Sequence, residues 1–150
     1  MEVWHGIESV NSTSTIKRFL NNKLIRRTIW DKVDYSDRRY VEDTQTSYFV
    51  LFYSDVVVNI KYAGYHYYQN PVSLCHQAPL VKTKIYQALC AKDLCEFVAI
   101  HEPEKTKGFC MAFIMRLKEI GAMELSDSIK DDYKDELAEL FTFFLQNIKF

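Results

Sequence analysis

The last third of the chain carries two apolar stripes at helical spacing, and these limit its fold more than any other feature. Pro103 stands where a first helical turn tolerates proline, and Gly121 stands where a helix can stop. Between them Phe109, Phe113, Leu117 and Ile120 recur at intervals of three and four. Met111, Ile114 and Met115 widen that stripe, which predicts burial on more than one side of the helix. Ser128 and Asp131 then form a loose capping box for a second helix over 128–148. Its stripe is Ile129, Tyr133, Leu137, Leu140, Phe141, Phe144, Leu145 and Ile148.

Upstream, two runs of β-formers, 47–53 and 56–62, flank the dipeptide Ser54-Asp55 and predict a hairpin over 47–62. In the second run Val56, Val58 and Ile60 alternate with Val57, Asn59 and Lys61, the pattern of a sheet with one face on a core. Residues 94–100, LCEFVAI, read as a short buried strand after a helix that starts near Pro79 and runs to about Lys92. A first helix is expected from Thr13 or Ser14 through Leu24, on Ile16, Phe19, Leu20 and Leu24. Residues 24–30 lean to strand, and 31–46 read mostly as loop. The expected fold class is therefore α+β. A small, mainly antiparallel sheet (hairpin 47–62 plus a strand near 94–100) would be covered on one face by a single layer of three or four helices.

At 150 residues, with four glycines and three prolines, the chain has the length of one domain and little material for linkers. A single globular domain over 1–150 is the expectation. The amino terminus lacks a basic and apolar leader, and no apolar run reaches membrane-spanning length. A cytoplasmic protein away from the membrane follows. Cys75, Cys90, Cys95 and Cys110 then read as free thiols in a reducing compartment.

Chemistry-bearing motifs are scarce. Cys75 and His76 are neighbours, but adjacent side chains on an extended chain point apart, so a working pair would need His66 or His101 from elsewhere. Cys75, His76, Cys90, Cys95, His101 and Cys110 show no zinc spacing, and no glycine-rich loop is present to hold a phosphate. No cofactor or metal is expected. Lys17, Arg18, Lys23, Arg26, Arg27, Lys32, Arg38 and Arg39, with Trp30, Tyr35 and Tyr40, make a basic and aromatic stretch. The isoelectric point near 6.4 nonetheless argues against a dedicated nucleic-acid binder.

Two features point to contact with another protein. Tyr62, Tyr65, His66, Tyr67 and Tyr68 crowd one short segment, and tyrosine supplies rigid contact area at low rotamer entropy. Alternation along a strand would set Tyr65 and Tyr67 on one side, with His66 and Tyr68 on the other. The second feature is an acidic block, Glu119, Glu124, Asp127, Asp131, Asp132, Asp135, Glu136 and Glu139. Asp131, Asp135 and Glu139 recur every four residues opposite the apolar stripe. The function these features imply is a non-enzymatic protein-binding module. Its most concrete form is an immunity or antitoxin-type inhibitor that covers the active site of a basic toxin or effector. The alternatives are a small enzyme using Cys75 with a histidine, and a viral modulator of a host protein.

Overall fold

The computed structural model describes residues 1–5, 20–33, 42–73 and 79–147. Its elements, in chain order, are β1 (Glu2–His5), α1 (Arg27–Trp30), α2 (Glu42–Phe52), β2 (Val56–Asn59), α3 (Leu80–His101), a 3-10 turn (Pro103–Lys105), α4 (Thr106–Gly121), α5 (Asp127–Asp132) and α6 (Lys134–Asn147). The fold class is α+β: mostly helix, with one small antiparallel sheet. The chain gathers into two compact units, Met1–Ser73 and Leu74–Phe150.

In the first unit β1 and β2 pair antiparallel, with Glu2 opposite Asn59, Val3 opposite Val58, Trp4 opposite Val57 and His5 opposite Val56. Val56–Asn59 is thus a strand, as predicted, but its Val56, Val58 and Ile60 face is exposed rather than set on a core, and the arm expected to pair with it is a helix. Residues 47–52 lie in α2, so no hairpin spans 47–62. The physical reason is burial. Every residue from Gln45 to Leu51 is buried, and a segment covered all round shows neither a two-residue nor a helical period. Asp43 stands in the first turn of the helix, where its dipole favours acid. At the other end the Ser54 hydroxyl donates to the Val50 carbonyl (2.6 Å).

Residues 24–30 are not a strand. A single helical turn occupies Arg27–Trp30, held by bonds from the Ile29 amide to the Arg26 carbonyl and from the Lys32 amide to the Ile29 carbonyl, both 3.0 Å. Asn22 just before it is left-handed (φ 61°), a conformation asparagine tolerates better than most residues. Leu24 is fully exposed, so it anchors no helix stripe. Leu20–Lys23, also expected in the first helix, form a bend and turn instead, and the part before them, including Ile16 and Phe19, lies outside the described residues.

The second unit is built from α3, α4 and α6 around their own core. Ile85, Ala88, Leu89, Cys95, Phe113, Ile120, Leu140 and Phe143 form its centre, with Val81, Phe109, Leu117, Tyr133, Leu137 and Phe144 packed against it. Helix on helix, rather than helix on sheet, fills this core. The strand expected over 94–100 is the last part of α3. Its residues Leu94, Cys95 and Val98 continue the stripe of Ile85, Ala88 and Leu89 at helical spacing, and no breaker intervenes before Pro103. A short apolar run taken without the turns before it does not distinguish a buried strand from a buried helix.

Candidate partner-binding surfaces

The tyrosine segment follows β2 directly. The Tyr62 amide donates to the Ile60 carbonyl (2.8 Å), which turns the chain at Lys61; the segment then runs to Asn70 without helix or strand. Its end is fixed by the Asn70 side chain, which accepts from the Val72 amide (3.1 Å), next to Pro71. Tyr62, Tyr65, Tyr67 and Tyr68 are all exposed, from 47% to 83%, and His66 is exposed among them. The Tyr65 and Tyr67 rings tilt toward each other with centroids 6.5 Å apart. The exposed Tyr62 ring lies over Gly64, and a Cβ there would have to push it aside.

The acidic block is split by a break that its apolar periodicity does not reveal. Ser126, not Ser128, caps α5, its hydroxyl accepting from the Ile129 amide (3.4 Å). The helix then stops at Tyr133 (φ −120°, ψ 27°) and restarts at Lys134. This changes what each carboxylate does. Asp127 sits in the first turn of α5 and pairs with Lys130 (2.9 Å), whose hydrogen bond holds its carboxyl below the usual range. Asp135 falls in the first turn of α6, where the helix dipole favours it. Asp131 lies in the last turn of α5, the end at which a helix disfavours negative charge. Asp131, Asp132 and Asp135 are exposed.

Glu139 is exposed but paired within the unit. Its carboxylate accepts from Lys92 of α3 (3.1 Å), and the same ammonium reaches Glu96 (3.0 Å) and Asp93 (3.1 Å). Lys92 is buried, and its nitrogen also lies 5.7 Å from the centre of the Phe143 ring. Burial alone would lower its pKa; the hydrogen bonds to Glu96, Glu139 and Asp93 outweigh that and raise it. Sequence reasoning missed Lys92, although the signal was present. It stands four residues after Ala88 on the buried stripe, with carboxylates beside it at 93 and 96.

Cys75 and His76 lie outside the described residues, as do Lys17, Arg18, Tyr35, Arg38, Arg39 and Tyr40 of the basic stretch. His66 and His101 are exposed, whereas Cys90 and Cys95 are buried. Among the described residues no group of histidines, cysteines and carboxylates is placed to hold a metal ion. Cys95 meets Cys110 across α3 and α4. Burial, then the hydrogen bond with Cys110, pushes the Cys95 thiol up to about 12. The thiolate is the reactive form, so native Cys95 should be alkylated at pH 8 at least about a hundredfold more slowly than in the unfolded chain. Mass spectrometry of iodoacetamide-treated peptides checks this, and rapid native labelling of Cys95 would contradict the burial.

Among the described residues no helix is long and apolar enough to cross a membrane. Compared with known protein families, curated proteins and solved structures, the chain matches none.

Proposed function

We propose that the protein is a cytoplasmic, non-enzymatic protein-binding module. Its most concrete form is an immunity or antitoxin-type inhibitor that meets a basic toxin or effector. The observation that carries this is the exposed carboxylate cluster at the α5–α6 junction. Asp131, Asp132 and Asp135 stand within five residues of one another on a unit with a well-packed core. A rigid scaffold lowers the ordering cost of binding, and concentrated negative charge speeds encounter with a positive partner. Asp131 has the strongest case, since its place at the end of α5 gives the helix no reason to keep it. Glu139 supports the scaffold through Lys92 and contributes its charge from there.

The test begins with affinity capture from the source cell and identification of what co-purifies. Association of that partner is then measured against Asp131→Lys with Asp135→Lys. The double variant should keep its helical circular dichroism and associate about tenfold more slowly at low salt, with the gap closing as salt rises. An unchanged, salt-dependent on-rate would reduce these carboxylates to solvated surface.

A further inference from the structure

Among the described residues the fold brings together two nucleophilic side chains that the proposed function does not use, Cys95 of α3 and Cys110 of α4. These helices are joined by only four residues, 102–105, so they run antiparallel as a hairpin. Theirs is the most extensive helix–helix contact among the described residues. Lys84 of α3 and Glu119 of α4 fix its register with an ion pair of 2.7 Å. Cys95 lies eleven residues beyond Lys84, and Cys110 lies nine residues before Glu119. At about 1.5 Å of rise per residue those intervals differ by about 3 Å, so the two cysteines stand at one level of the hairpin. Both turn inward. Cys95 belongs to the buried core, Cys110 packs against that core from α4, and the two thiols share a hydrogen bond.

The spacing suits a covalent link. Packed helices stand about 8–10 Å apart with Cα atoms about 2.3 Å from each axis, which leaves about 3.5–5.5 Å between facing Cα atoms. A disulfide spans Cα separations of about 4.4–6.8 Å. Ala88 and Ala91, one and two turns before Cys95 on the packed face of α3, keep that face narrow and let the helices approach closely.

We propose that Cys95 and Cys110 form a reversible disulfide that staples α3 to α4 when the chain meets a small-molecule disulfide such as oxidised glutathione. This goes beyond the proposed function, whose carboxylates lie at the α5–α6 junction. Cys110 keeps part of its surface in water and reacts first. Its thiol gives a proton to solvent, and the thiolate attacks one sulfur of the reagent. The S–S bond of the reagent breaks, and one glutathione leaves as a thiolate that takes up a proton. Cys95 then loses its proton, attacks the Cys110 sulfur and expels the second glutathione in the same way. The two protein thiols lose two electrons, and one glutathione disulfide gains them to become two thiols. Burial of Cys95 hinders capture of a reagent from solvent but not attack on a sulfur already beside it. The bond closes a loop over 95–110 that holds the 3-10 turn, and it restricts the unfolded chain there.

The test is incubation of the native chain, without denaturant, in excess oxidised glutathione. Remaining thiols are blocked at low pH, and unreduced tryptic peptides are read by mass spectrometry. Peptides 93–105 and 108–116 should appear joined, two hydrogens lighter than their sum. Thermal unfolding followed by circular dichroism should move up by about 10 °C on oxidation and return on reduction with dithiothreitol. Cys110→Ser should abolish that shift, whereas Cys75→Ser should keep it. If Cys110→Ser fails to fold, the peptide map of the unaltered chain decides by itself. A chain that stays reduced overturns the proposal, as does one that keeps glutathione on Cys110 beside a free Cys95. So does a link from either cysteine to Cys75, to Cys90 or to another copy. A Cys95–Cys110 bond that leaves the melting temperature unchanged or lowers it overturns the staple as well.

Discussion

Replacing Phe113 with alanine is expected to remove about 3–5 kcal/mol from the free energy of unfolding, the cost of deleting a large buried ring. Phe113 is fully buried at the centre of the second unit and meets the Phe143 ring edge-on, with centroids 5.1 Å apart. Its removal takes away the aromatic contact and opens a cavity between α4 and α6 that rigid helices close only in part. Phe143→Ala should follow the same course at somewhat lower cost, because that residue keeps 8% of its surface exposed. Phe141→Ala serves as the internal control. Its ring is 55% exposed, so its truncation should cost under about 1 kcal/mol, as surface changes do. Urea melts of the three variants give the comparison. A Phe141→Ala loss as large as that of Phe113→Ala would mean that α6 presents a different face to α3 and α4.

That control marks where the sequence stops being sufficient. The stripe of the last helix was legible: Tyr133, Leu137, Leu140 and Phe144 all pack inward. Phe141 and Phe143 flank that stripe on opposite sides, and periodicity alone did not say which flank faces a neighbour. It favoured Phe141; the position of Phe113 decides for Phe143. The same limit applies to α4, where Phe113 and Ile120 are buried as expected but Met111 and Met115 are exposed. A wide apolar arc on a helix does not require a second covered side. β-branched and aromatic runs misled at 47–53, where burial through Leu51 hides any period, and at 94–100, which continues a helix already under way, because propensity is weak beside tertiary packing. Of the candidate surfaces, the exposed tyrosines and carboxylates were legible from residue type. The break at Tyr133 was not, nor was the part of Glu139 in the Lys92 cluster, which comes from another helix, although Lys92 itself stood on the buried stripe beside Asp93 and Glu96.

Lys92→Met is the second large effect expected. Methionine nearly preserves the buried stem, so the substitution removes charge with little change in packing. What remains is Asp93, Glu96 and Glu139 gathered around a site with no cation, where removing one partner of a fully buried pair would cost about 3–5 kcal/mol. Those three side chains keep 20%, 50% and 42% of their surface in water, and that screening brings the expected loss to about 1–3 kcal/mol. Glu139→Lys should be destabilising for the converse reason, since it sets a second ammonium against the first. A double-mutant cycle of Lys92→Met with Glu139→Gln isolates the link between α3 and α6. The double variant should be less unstable than the two single losses added together. The pH course has a definite sign. The folded pKa of Lys92 lies above its unfolded value of 10.5, so its contribution is fully present below that pH and fades as pH rises through the folded value. The stability gap between the unaltered chain and Lys92→Met should therefore stay constant from neutral pH to about 10.5 and narrow only above it. A Lys92→Met chain within about 0.5 kcal/mol of the original at neutral pH and low salt would show that Lys92 is held by its stem alone.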